Sequence, residues 1–196
     1  MPIFLGNTEI TSIHYGANEI AEVYKGSTKL WPSDSGGTLP SGTVVIGAAL
    51  TDDSSQYTIV SGVLVNQGSL TATWNEANGT TTISKIKIRC RGWDGGNVKA
   101  LLYSGAGSLI AISNAVTFGY GNPATFDFAF ASPPTITKND TYRLALIADT
   151  PYAIQVSKSG STSIDYDNSG SYASPPTTLS AVATGATGVL GMWAVV

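Results

Sequence analysis

The apolar positions of this chain recur at short intervals between turn residues and nowhere trace a helical stripe. Residues 82–90 carry the clearest pattern. Ile86, Ile88 and Cys90 alternate with Lys85, Lys87 and Arg89, a period of two that describes a strand with one buried and one solvated face. The same alternation runs through 124–130, where Phe126, Phe128 and Phe130 share a face opposite Asp127 and Ala129. Runs rich in β-branched and aromatic residues at 44–50, 57–65, 70–74, 97–104, 108–113, 142–148, 152–157, 162–166 and 189–196 predict further strands. Turn residues separate them, most clearly Gly105-Ala106-Gly107. About ten short strands without a helix predict two antiparallel sheets packed face to face. A jelly roll is the closed version of that arrangement. An immunoglobulin-type sandwich is the alternative, although the paired cysteines of antibody domains are missing. The apolar end, Met192 to Val196, predicts a strand held within a sheet or at a subunit interface.

The first thirty residues follow a different rule. Read in blocks of ten from residue 3, they are IFLGNTEITS, IHYGANEIAE and VYKGSTKLWP. Ile3, Ile13 and Val23 fall in register, as do Gly6, Gly16 and Gly26, and Ile10, Ile20 and Leu30 close the blocks before Trp31. Glycine followed by Asn, Ser or Thr is turn chemistry between extended flanks, so each block predicts a strand-turn-strand unit. A lone hairpin is marginal in water, and such units need something to pack on. An ordinary meander opening a single domain is one reading. The preferred one is an attachment segment completed by partner chains through strand addition. After Trp31, residues 32–43 hold two prolines and three glycines but only one large apolar residue, Leu39. Too little apolar surface is available there to offset ordering. The expected organisation is therefore a β-repeat segment at 1–31, a linker at 32–43 and a β-sandwich at 44–196.

Composition narrows the function classes. Charged residues make up 12% of the 196, half the ~25% usual for globular domains, and 22 glycines fit a many-turned β protein. A net charge of −3 argues against nucleic-acid binding. One cysteine and one histidine rule out an internal disulfide and a Cys/His zinc site within one chain. There is no basic-then-apolar leader pattern and no apolar run long enough to span a bilayer, so neither a signal peptide nor membrane insertion is expected.

Few residues offer chemistry. His14 stands alone as a neutral-pH base, with no nucleophile motif near it. Cys90 falls on the apolar side of its strand and reads as a buried hydrophobe. The stretch DYDNSG, 165–170, places Asp165, Asp167 and Ser169 at calcium-loop spacing, but Pro176 stands where a bidentate Glu is required. A solvated turn is the better description, with a β-loop cation site as the alternative. Glutamate occurs beyond residue 22 only at Glu76, which weighs against a two-carboxylate glycosidase. No P-loop or hydrolase motif appears. Catalytic residues and cofactors are therefore expected to be absent. Lys85, Lys87, Arg89 and Arg91 give one strand a basic face, read either as a solvated surface or as a contact for an acidic partner surface or an anionic polysaccharide. Loop aromatics are the remaining signal. Trp93 lies in the turn RGWDGGN beside Asp94 and Asn97, and Tyr120 and Tyr172 lie in similar loops. An exposed indole can stack on a sugar ring while polar neighbours bind its hydroxyls. These five residues are the candidate glycan contacts.

The LGxTEI and VYxGxxxLW blocks over residues 3–31, closed by Trp31-Pro32, resemble the start of many tailed-bacteriophage structural proteins, in which they precede a variable β-rich domain. His14 and Lys25 stand where apolar residues are often seen. Residues 97–149, with VKALLYSGAGSLIAIS, FDFAF and SPPTITKNDTYRLALIAD, resemble the jelly-roll modules of phage and cell-surface proteins. The resemblance implies a non-enzymatic virion protein assembled in the host cytoplasm and tied to other virion proteins through residues 1–31. It also implies homo-oligomers, trimers by analogy with fibres and spikes. The expected function is that of a tail fibre or appendage whose sandwich binds a host surface polysaccharide. The alternative is decoration or cement of capsid, collar or baseplate.

Overall fold

The computed structural model describes residues 39–50, 53, 55–59, 63–75, 79–159, 171–179 and 189–196 in full, and the strand pairing alone for parts of 4–31, 160–167 and 183–188. Six short strands come first. β1 (Phe4–Leu5) pairs with β2 (Thr8–Glu9), β3 (His14–Tyr15) with β4 (Asn18–Glu19), and β5 (Val23–Lys25) with β6 (Thr28–Trp31), each antiparallel. The ten-residue sequence period is thus a hairpin period. Ile3, Gly6, Ile10, Ile13, Gly16, Ile20 and Gly26 lie outside the described residues, and of Val23, Leu30 and Trp31 only the strand pairing is described.

The remaining strands are β7 (Val44–Gly47), β8 (Gln56–Thr58), β9 (Leu64–Gln67), β10 (Leu70–Thr71), β11 (Thr80–Thr82), β12 (Lys85–Gly92), β13 (Gly96–Ser104), β14 (Leu109–Ile112), β15 (Val116–Phe118), β16 (Ala124–Ala129), β17 (Thr135–Thr137), β18 (Thr141–Ala148), β19 (Ile154–Asp167), β20 (Ala183–Leu190) and β21 (Met192–Val195). The chain is all-β, with antiparallel pairing throughout and no helix among the described residues. In one sheet β12 lies between β16 on one edge and β21 followed by β7 on the other. Beyond β21 the same edge of β12 takes the start of β19, which in turn pairs with β8. In the other sheet β14 and β15 share one edge of β13 and β18 takes the opposite edge, followed by β9 and β10, then the end of β19, then β20. β11 and β17 form a separate pair.

Burial explains the layering. Ile86, Ile88 and Cys90 of β12, Phe128 of β16 and Met192 and Ala194 of β21 share one core with Val98, Ala100 and Leu102 of β13 and Leu144, Leu146 and Ala148 of β18. The two faces of the second sheet are both covered. Leu64, Leu101, Tyr103, Ala145 and Ile147 form a second cluster on its other side, beneath Tyr172 and Leu179. The covering strap is residues 171–179. It is fastened where the Tyr103 hydroxyl donates to the Pro176 carbonyl at 2.8 Å, Leu109 N–H to Thr177 at 2.9 Å and Leu179 N–H to Gly107 at 2.9 Å. Burial on both faces is why 98–103 and 144–148 read as continuous apolar runs.

Several boundaries differ from the sequence expectation. Residues 57–65 split into β8 and β9. The expected strands at 152–157 and 162–166 are one strand, β19, whose start pairs with β12 and whose end pairs with β9. Its register against β20 shifts between Ser159 and Ser163 and again between Ile164 and Asp165. Such irregularities let one strand bend from sheet to sheet. Leu39, assigned to the linker, is buried in the core. Gly42 N–H donates to Val196 O and Val196 N–H to Thr43 O, so residues 39–43 are fastened to the C-terminal strand. That strand, β21, sits between β12 and β7 inside a sheet.

Candidate functional site

Three loops meet where the chain passes from β12 in one sheet to β13 in the other. β12 finishes at Gly92 and β13 begins at Gly96, so Trp93 and Asp94 occupy a tight turn. Gly95 (φ 84°) and Gly96 (φ 132°) close it in conformations that side chains rarely adopt. The turn is tied to the loop before β19, since Trp93 N–H donates to Ala153 O at 3.1 Å and Asp94 N–H to Tyr152 O at 3.0 Å. It is tied to the loop after β15 by Gly121 N–H donating to Gly92 O at 3.2 Å. A Cβ at Gly92 would overlap the Gly119 carbonyl oxygen, and this close backbone approach brings the two loops together.

Two rings come together there. Trp93 and Tyr120 have centroids 6.0 Å apart at an interplanar angle of 43°, within the range of favourable aromatic pairs. Tyr120 is 81% exposed and Trp93 half-buried. On β12 the Arg91 guanidinium carbon lies 4.7 Å from the Trp93 ring centroid, a cation–π geometry. The guanidinium is itself oriented, because Nε and Nη2 donate to Gln155 Oε1 at 2.8 and 2.6 Å. Gln155 Nε2 donates onward to Thr58 Oγ1 at 3.2 Å. Asp94 is exposed beside the rings, and Tyr152, 49% exposed with φ of 58°, is held in the adjoining loop. The arrangement offers aromatic faces, a fixed cation and an open carboxylate. It can stack on an apolar ring face and hydrogen-bond polar groups around it.

The five candidate contacts separate into three settings. Trp93, Asp94 and Tyr120 lie together. Asn97 is a brace beneath them: its N–H and Nδ2 donate to Asp149 at 2.8 and 2.7 Å, and Thr117 Oγ1 donates to its Oδ1 at 2.7 Å. Burial acts to raise the Asp149 carboxyl, but these Asn97 bonds, with one from Thr150, hold it below its usual value. Tyr172 belongs to the strap, with Lys99 Nζ 4.2 Å from its ring centroid and donating to its carbonyl at 3.2 Å. Burial, and then the charge of Asp149, raise its phenol. The sequence pattern places Arg91 on the basic face of its strand but not beside Trp93, and it does not single out Tyr152. Arg91 was visible only as one basic residue in a row, and Tyr152 carried no turn signal of its own.

The basic strand face is largely paired. Lys85 and Lys87 both hold Asp127, at 2.6 and 2.9 Å. Arg89 grips Asp53 with two nitrogens, Nε at 3.0 Å, and the Ser157 hydroxyl donates to the same carboxylate. Cys90 is buried, and burial pushes its thiol far up, which keeps it unreactive. Asp165 and Asp167 lie in β19, opposite Asn66 and Leu64, so the first half of DYDNSG is extended strand rather than turn. Residues 168–170 lie outside the described residues. Among the described residues no cluster of three or more metal-binding side chains occurs. His14 falls in β3, and its side chain lies outside the described residues. Compared with protein-family models, curated proteins and solved structures, the chain gave no match.

Proposed function

We propose that this protein is a non-enzymatic structural component of a tailed-phage particle, of the fibre or appendage type, whose β-sandwich binds a host surface glycan at Trp93 and Tyr120. The observation that carries the glycan site is the ring pair of exposed Tyr120 and half-buried Trp93, fixed by three tied loops and flanked by Arg91 and Asp94. Such preorganisation limits the ordering cost of binding. A platform this small binds weakly on its own, and display of several copies on one particle would supply avidity. Residues 1–31, as three hairpins, would tie the chain to other virion proteins, and homo-oligomers, trimers by analogy, would present the platforms together. The test is binding of the labelled full chain to intact bacteria from a host panel. Trp93→Ala is expected to abolish binding with an unchanged Tm, since the ring is half-buried and outside the core. Retention of binding in both Trp93→Ala and Tyr120→Ala would overturn the assignment.

A second reading, decoration or cement of capsid, collar or baseplate, is favoured by β14. This strand stands at the end of its sheet's order, with Ile110 and Ile112 exposed by 40% and 38%. An apolar sheet edge is a template for strand pairing. In that case Ile110→Lys with Ile112→Lys would remove incorporation into particles, and loop changes at Trp93 would leave it intact.

A further inference from the structure

A second concavity lies away from the aromatic turn. It is a cleft of about 430 Å³ bounded by Gly47 and Ala48 after β7, by Gln67 to Thr71 across the β9–β10 connection, and by Val189 near the end of β20. Its volume is in the range of small-molecule sites. At its inner wall stands Gln67, only 3% exposed, whose Oε1 has no hydrogen-bond partner among the described residues. Buried carbonyl oxygens are almost always paired, and leaving one unmet is costly. An acceptor in that position calls for a donor arriving from the cleft.

The lining determines what kind of donor. None of the described lining residues ionises, so a charged ligand would be desolvated there without a counter-charge from them. Ser69 and Thr71 supply hydroxyls at the rim, while Leu70, Val189 and Ala48 supply apolar surface. A compact ring that carries hydroxyls around its edge and C–H bonds on its faces matches both. We propose that this cleft is a binding site for a small uncharged polyol, such as a single neutral sugar ring, with one ligand hydroxyl donating to Gln67 Oε1. The site is independent of the Trp93–Tyr120 platform.

The test is a titration of the full chain, followed in amide ¹⁵N–¹H spectra, with methyl α-glucopyranoside and trans-1,2-cyclohexanediol, and with cyclohexanecarboxylate as the charged control. Saturable shifts are expected at the Gln67 side-chain amide and at Ala48, Gly68 and Ser69 with the two neutral probes. Gln67→Leu removes the acceptor and is expected to weaken binding at least about five-fold, with an unchanged or higher Tm because an unmet polar group is gone. Gly68→Leu is the second variant. An added Cβ there meets no atom within 4 Å, and the larger side chain should obstruct the cleft without disturbing the fold. The proposal fails if the shifts are confined to the residues around Trp93, if the carboxylate binds as well as the polyols, or if Gln67→Leu binds unchanged. It fails equally if Gln67 is served by bound water only, with no displacement up to the probes' solubility.

Discussion

Arg89 illustrates what sequence alone could and could not say about single side chains. Its place on the solvated face of β12 follows from the alternation of Ile86, Ile88 and Cys90 with basic residues. Its partner does not, because Asp53 lies 36 residues away in a segment with no periodicity. The pair is bidentate and about three-quarters screened from water, and the buried Ser157 hydroxyl also depends on Asp53. Asp53→Ala should therefore destabilise the fold by about 1–3 kcal/mol in urea denaturation. Asp127→Ala, whose partners sit in an exposed pair, should cost less than about 1 kcal/mol. The same groups set the acid response. Arg89 holds the Asp53 carboxyl low. For Asp127 burial opposes ionisation, but Lys85 and Lys87 outweigh it, and Asp149 is held low by Asn97. Folded values below the unfolded ~3.9 mean that their stabilisation is complete above about pH 4 and lost as pH falls through the lower folded values. Denaturation midpoints should hold from pH 7 to about pH 5 and drop below about pH 4. Asp53→Ala should flatten that drop.

At the scale of elements, half-buried strands were legible and covered ones were less so. β12 and β16 alternate visibly because one face meets water. β13 and β18 are apolar on both faces because the 171–179 strap closes the far side of their sheet, and nothing in SYASPPTTL announces a cover. Of β20 only Val189 and Leu190 fall in an expected strand, 189–196, which divides at Gly191 between β20 and β21; the preceding ATGATG is small residues without an apolar period. The two runs merged in β19 looked separate because Gly160 and its serine neighbours resemble a turn. The strap's hold can be measured. Tyr103→Phe removes the hydroxyl bond to Pro176 and leaves that carbonyl unserved, at a cost of about 1 kcal/mol. It should also speed amide exchange at Leu109 and Leu179, which bond strap to sheet. The aromatic turn has its own hinge at Gly92. Gly92→Ala would force the Gly119 carbonyl away and is expected to lose the proposed glycan binding with a Tm drop of several degrees. Trp93→Ala should lose binding alone.

For the molecule as a whole, the composition and turn spacing were enough to give an all-β chain in antiparallel sheets. The candidate platform was legible only in part. Trp93 and Tyr120 drew notice as aromatics among glycines, but their meeting depends on Gly92 and Gly119 approaching across the chain, which no local pattern encodes. The bonds of Asn97, a candidate contact, to Asp149 and Thr117 likewise depend on distant strands. The C-terminal strand follows the same whole-chain logic. Met192 to Val195 pair with both β12 and β7, so truncation after Leu190 should leave no cooperative unfolding transition by circular dichroism. Glycan recognition itself is tested most directly by titrating the full chain with purified host surface polysaccharides while following tryptophan emission. Of the three tryptophans whose side chains are described, Trp74 and Trp193 are buried and Trp93 is the more open ring, so a ligand on the platform should change the emission saturably. That change should vanish in Trp93→Ala and weaken in Tyr120→Ala. Polysaccharide that cosediments with the protein yet leaves the emission unchanged and is indifferent to both substitutions would contradict a glycan site at this turn.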